Sequence, residues 1–391
     1  MADYEGSESV AYPLLSCKTG GDIGGFAAVQ FVTPANVPSG GNPLSVEWRQ
    51  ISCQTVPNRA PRYGNEAEFI YLKSRAALQM LGARGSLDAI GGNLDQGPEG
   101  DFRGTWTKAA DADAPLVLII PGSGPTDRDG NSPLGIEAGT YRLLAEGLGQ
   151  RGISTVRVDK RGIGASAGAV SDANAVTIDD YVSDTRAWVD DIRRRTGTSC
   201  VWILGHSEGG LVALATAQES PDICGLILVA TAGRPMGDVV KEQLRAQPAD
   251  APLLPKADAA INALAAGERV DADAVPPALA PLFAPAIQGF LISAFALNLA
   301  DLAGRVQKPV LILQGDGDIQ VGVPDATALK AAAPTAELAV IPDVNHVLKV
   351  VSSDDAAANI ATYADPALPL APGIIETIAD FLARQTAADP F

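Results

Sequence analysis

The chain has 391 residues and carries 29 basic against 46 acidic side chains, a formal charge of −17. With 47% apolar and 19% charged residues it has the composition of a globular protein with material for a large core, not of a disordered one. The acidic balance disfavours nucleic acid and anionic membrane as partners, and the two histidines, His206 and His346, exclude a zinc site built on three imidazoles.

Residues 1–108 read as an N-terminal β-rich domain of unassigned role. They are rich in Gly, Pro, Ser and Asn, with short apolar runs over Phe26 to Val32 and Leu44 to Trp48. Phe69, Leu72, Ala76 and Met80 fall at helical spacing and predict one helix. The opening residues, Met1 to Glu8, show neither the basic stretch nor the apolar core of a secretory signal, and the compartment stays open. Cys17, Cys53, Cys200 and Cys224 contain no Cys-x-x-Cys pair, which leaves inert thiols or one or two disulfides. Cys200 and Cys224 each precede a predicted strand and can meet if those strands are parallel neighbours.

From Pro115 the pattern changes. Leu116 to Ile120 is a fully apolar run between Pro and Gly, the mark of a strand buried on both faces. Comparable runs follow at Ile153 to Val158, Val201 to Leu204, Leu226 to Ala230, Val310 to Leu313 and Leu338 to Ile341. Helical segments lie between them. One starts at Thr177 as a cap, carries Asp179 and Asp180 in its first turn and ends with Arg193 to Arg195 before Gly197. Alternating strand and helix predict an α/β fold, a mostly parallel sheet covered on both faces. The interval between Ala230 and Pro309 is far longer than one crossover helix requires, so 232–304 reads as a helical cap insertion dividing the core into 109–231 and 305–391. Within it, Pro285 to Ala303 is an apolar helical stretch suited to a lid, and no segment has the 18 apolar residues of a membrane span.

Two stretches match Gly-x-Ser-x-Gly, at Ser166 and at Ser207. A nucleophile elbow needs a buried strand directly before it and a helix directly after. Ser207 lies between Val201 to Leu204 and Leu211 to Ala217, whereas Ser166 sits in a glycine-rich loop. A serine nucleophile needs a base, usually a histidine oriented by a carboxylate. His206 adjoins Ser207, but successive side chains at such a turn diverge, which leaves His346, just past the strand Leu338 to Ile341. The loop after Val310 to Leu313 offers Asp316 and Asp318 at the same sheet edge, with Asp318 favoured; Asp343 is a third, local candidate. Amides for an oxyanion are expected from Glu208, at the helix N-terminus, and from Ser123 in the loop Pro121 to Asn131. That loop lacks the spacing of a P-loop or a dinucleotide site, and Asp127, Asp129 and Asn131 lack the glycine and glutamate of a calcium loop.

Taken in order, Pro121 to Asn131, Asp159 to Ser166, Gly205 to Gly210, Leu313 to Asp318 and Asn345-His346 resemble the serine hydrolases of the α/β-hydrolase superfamily. Within it they are most similar to bacterial carboxylesterases grouped with the serine aminopeptidase-like hydrolases. The resemblance covers about 109–391. It implies ester hydrolysis through an acyl-enzyme on Ser207, with His346 as base and Asp318 as its orienter, no cofactor, and a small, often short-chain ester as substrate. The rivals are an amidase or peptidase with the same triad, for which Glu208, Glu242 or Asp271 would anchor an amine, and a non-catalytic binding protein on the same scaffold. The oligomeric state is not encoded in any motif.

Overall fold

The computed structural model describes residues 15–17, 25–27, 89–90, 102–111, 113–218, 220–246, 248–351 and 355–388. The expected helix over Phe69 to Met80 and most of the expected β-rich N-terminal domain lie outside the described residues. The chain divides into Met1–Asp88 and Ala89–Phe391. In the first unit, β1 (Leu15–Cys17) pairs antiparallel with β2 (Gly25–Ala27).

Among the described residues, the second unit is built on an eight-stranded sheet. In chain order its strands are β3 (Ala89–Ile90), β4 (Gly104–Thr107), β5 (Leu116–Ile120), β6 (Ser154–Val158), β7 (Val201–His206), β8 (Ile223–Val229), β9 (Val310–Gly315) and β10 (Glu337–Ile341). Across the sheet the order is β10-β9-β8-β7-β5-β6-β4-β3. The pairs from β10 to β6 are parallel, while β4 runs antiparallel to β6 and β3 antiparallel to β4. The sheet therefore reaches back past residue 108. Its β4 is short and only half-buried at three of its four positions, so it carries no apolar run that would reveal it.

The central strands are apolar throughout because both faces are covered. In β5, Leu116, Leu118 and Ile120 join one apolar cluster while Val117 and Ile119 join another. The first cluster takes in α2 (Ile178–Thr196), α3 (Glu208–Ala217) and α8 (Val323–Ala332); the second takes in α1 (Thr140–Gln150) and α10 (Ile374–Ala388). Each fully buried Leu or Ile contributes about 1.5–3 kcal/mol of transfer free energy, which holds such strands inside. Helix α2 begins with the Thr177 cap in reciprocal hydrogen bonds with Asp180 and ends at Gly197 in a left-handed conformation (φ 78°).

Between β8 and β9 lies the helical insertion, with α4 (Met236–Arg245), α5 (Leu254–Ala265), α6 (Gln288–Phe295) and α7 (Leu299–Arg305). Its Ile261, Leu264, Phe283 and Phe295 share the cluster of α3's Leu211 and Val212. The apolar helical stretch expected over Pro285 to Ala303 consists of two helical pieces, Pro285–Phe295 and Leu299–Arg305, bent by 44°. Asn298 causes the break, because its side chain accepts from the Ala300 and Asp301 amides and starts a new helix. No single helix among the described residues is long and apolar enough to cross a membrane.

Cys200 and Cys224 form a disulfide. Adjacent register pairs are Val201 with Ile223 and Trp202 with Gly225, so Cys224 is the extra residue of a bulge in β8, beside the start of β7.

Candidate active site

Ser207 links β7 to α3 with φ 54° and ψ −119°, a backbone state costly for any residue with a side chain. The surroundings enforce it. A methyl group at Gly205 would collide with the Gly209 carbonyl, and one at Gly209 with the Ile120 carbonyl, so strand, helix and β5 close on one another only without side chains there. The Ser207 N–H donates to the Val229 carbonyl (2.9 Å), which pins the turn to β8. Ser166, by contrast, is fully buried and its Oγ accepts from the Arg103 N–H (2.8 Å).

His346 and Asp318 meet in a buried hydrogen bond, Nδ1 to Oδ2 at 2.7 Å. The second carboxylate oxygen of Asp318 accepts from the Gln320 and Val321 amides (2.8 and 3.0 Å). Burial alone would raise the Asp318 carboxyl, but His346 and these two amides outweigh it and hold it below the usual carboxylate range. A carboxylate facing Nδ1 keeps the proton there and leaves the Nε2 lone pair available. The other two acidic candidates are placed against each other, with the Asp343 N–H donating to Asp316 Oδ1 at 2.6 Å.

One helix supports both loops. From α9 (Ala356–Ala361), the buried Asn359 donates through Nδ2 to the Gly317 carbonyl (2.8 Å), beside Asp318. Its Oδ1 accepts from Asn345 Nδ2 (3.1 Å), beside His346.

His206 is the adjoining residue, and its ring turns inward. It lies 4.8 Å, centroid to centroid, from the His346 ring, and its Nε2 is 2.8 Å from the His346 carbonyl. A carbonyl only accepts, so Nε2 carries the proton and Nδ1 accepts from the Tyr141 hydroxyl at 2.9 Å. The Tyr141 oxygen in turn accepts from the Gly122 N–H (2.8 Å). Burial raises the Tyr141 phenol and pushes His206 down to about 3, with His346 adding to the fall, so the chain of donors persists across the neutral range. This has a consequence for stability. The folded His206 stays neutral while the unfolded one, at about 6.5, takes up a proton, so stability falls as pH drops from about 6.5 towards 3. The contribution is on the order of 1 kcal/mol per pH unit. Urea unfolding at pH 6.5 and 5 is expected to show a steeper loss for the native chain than for H206N; equal slopes would contradict this.

The loop after β5 abuts the elbow, where a Cβ placed on Gly122 would lie 3.3 Å from the Cβ of Ser207. Ser123 is exposed, and its carbonyl accepts from Thr126 Oγ1 (2.9 Å). Glu208 opens α3, so its N–H has no partner within the helix. Its side chain is buried 3.7 Å from Lys160 Nζ. Lys160 also donates to the Gly122 carbonyl at 2.7 Å. Its neighbour Asp159 receives the Arg128 backbone N–H (2.8 Å) and guanidinium (2.6 Å). Sequence reasoning missed Tyr141, Lys160 and Asn359. Only Lys160 left a signal, as the residue between Asp159 and Arg161 in a motif that otherwise reads as a loop.

A family model described as serine aminopeptidase, S33, matches residues 134–349, a span that includes Ser207, Asp318 and His346 but not Ser123. The chain is 27% identical over 238 residues to esterase EstD of Thermotoga maritima, a match covering 60% of this chain and 54% of that protein. It is 31% identical over 125 residues to phospholipase YtpA of Bacillus subtilis, covering 32% and 42%. The chain thus spans about half the length of the curated relatives it matches. Among solved structures, Est1E from Butyrivibrio proteoclasticus with bound ferulic acid is 20% identical, with 73% of this chain and 97% of that chain covered and a TM-score of 0.47. Because the family model takes in more than half of its residues, the chain belongs to the hydrolase family described as serine aminopeptidase, S33.

Proposed function

We propose that the protein is a serine carboxylic ester hydrolase acting on small or short-chain esters. Ser207 Oγ attacks the ester carbonyl as its proton passes to His346 Nε2, and the oxyanion is received by the Ser123 and Glu208 amides. The tetrahedral intermediate expels the alcohol, which takes the proton from His346 and leaves an acyl-enzyme. Water then attacks, gives its proton to the same nitrogen, and the acid departs as Ser207 recovers the proton. Asp318 holds the imidazole in the tautomer this requires. The observation that carries the reading is the buried Asp318–His346 hydrogen bond of 2.7 Å, whose imidazole lies 4.8 Å, centroid to centroid, from the ring of His206, the residue preceding Ser207. The insertion, 232–304 in our division of the chain, serves as the cap over the acyl pocket.

The aminopeptidase alternative needs a free carboxylate for a substrate amine, and two of the three considered are engaged by cations. Glu208 is buried against Lys160 and Glu242 pairs with Arg234, while the exposed Asp271 carboxylate accepts only the Asp273 N–H among the described residues. The similarity to EstD, an esterase, supports the same choice. We expect hydrolysis of p-nitrophenyl acetate and no turnover above background of aminoacyl p-nitroanilides. Efficient anilide cleavage would reverse the assignment.

A further inference from the structure

We propose that Lys160 is a positioning residue for the oxyanion hole, acting through the Gly122 carbonyl and the Glu208 side chain. The inference rests on the acyl-enzyme reading above and extends it to a residue that touches no substrate.

The argument begins with the peptide between Gly122 and Ser123. In a trans peptide the C=O and the following N–H point to opposite sides of the chain. Lys160 Nζ holds the Gly122 carbonyl at 2.7 Å in the interior, so the Ser123 N–H is turned the other way. The adjoining peptide is held as well, since the Gly122 N–H donates to Tyr141 Oη at 2.8 Å. Rotation of this stretch would break one buried hydrogen bond or both.

The second amide belongs to Glu208, and its side chain lies 3.7 Å from the same Nζ. Both side chains are about nine-tenths or more buried. Burial pushes Lys160 down and Glu208 up, against their mutual attraction. Whether or not the ammonium is ionised, Nζ retains an N–H for the Gly122 carbonyl. One nitrogen therefore connects the two chain segments whose amides must converge on a single oxygen atom. Preorganised donors of this kind stabilise charge only when they need not reorient as it forms.

A simpler role would be to neutralise a buried Glu208. The double variant K160M/E208Q separates the two roles, because it leaves no unpaired buried charge yet still lacks the donor to Gly122. Methionine retains much of the lysine stem but not the Nζ that lies 5.4 Å from the centroid of the Tyr181 ring. With E208Q as reference, we expect the double variant to lose about 10²-fold in kcat for p-nitrophenyl acetate with KM changed less than about threefold. The inhibition constant of a trifluoromethyl ketone, which places a charged oxygen in the same position, should rise by a similar factor. Far-UV circular dichroism and thermal melting establish that both variants are folded, and K160M alone is measured beside them. A folded double variant with the kcat and inhibition constant of E208Q would overturn the proposal. S207A distinguishes the two layers. Full activity in S207A refutes the acyl-enzyme reading and this inference with it, whereas an inactive S207A beside an unimpaired double variant refutes the role of Lys160 alone.

Discussion

Replacing Ser207 by alanine is expected to lower kcat for p-nitrophenyl acetate by about 10⁴-fold or more and to abolish covalent labelling by a fluorophosphonate. The loss should fall on kcat, because the hydroxyl forms its bond only as the reaction proceeds and the pocket walls are unchanged. H346Q should produce a comparable loss, since the hydroxyl is a weak nucleophile without a base to accept its proton. The two losses should not multiply in the double variant, because residues acting as one unit fail together. A folded S207A that retains even a tenth of the native rate would exclude Ser207 as the nucleophile. Additive losses in the double variant would exclude a shared proton.

D318N is expected to cost about 10⁴-fold in kcat while D316N stays within a few-fold of the native rate. The reason lies in which oxygen each donor requires. Asp318 Oδ1 accepts from two backbone amides, at 2.8 and 3.0 Å, so the oxygen of an asparagine must occupy that position. Its NH₂ group then faces His346 Nδ1, where Oδ2 stood at 2.7 Å, and drives the imidazole proton to Nε2. The nitrogen that should accept the serine proton is thereby blocked. Asp316 makes a different contact, to the Asp343 N–H in a solvent-exposed turn, and its replacement leaves the imidazole untouched. Matched kinetic measurements on the two variants decide the point; equal effects would remove Asp318 from its role.

Much of the core was legible because central strands buried on both faces show it in consecutive residues, as Leu116 to Ile120 and Val201 to Leu204 do. The short strand Gly104–Thr107 lies between two antiparallel partners near the edge of the sheet and is half-buried at three of its four positions, which leaves no run of apolar residues. The break in the insertion depended on Asn298 taking two backbone amides, a local choice that composition does not reveal. Ser207 stood out because strand, turn and helix are contiguous in sequence. The contacts of Tyr141 and Lys160 were hidden for the opposite reason: their partner at Gly122 is 19 and 38 residues away, so their meaning depends on the folded chain.

The clasp made by Asn359 has its own implication. One carboxamide joins the turn beside Asp318 to the turn beside His346, so a displacement of either is passed to the other. The turn of His346 is also tied, through its carbonyl, to His206 beside Ser207, so loss of the Asn359 carboxamide would release both turns from α9 while leaving that second tie in place.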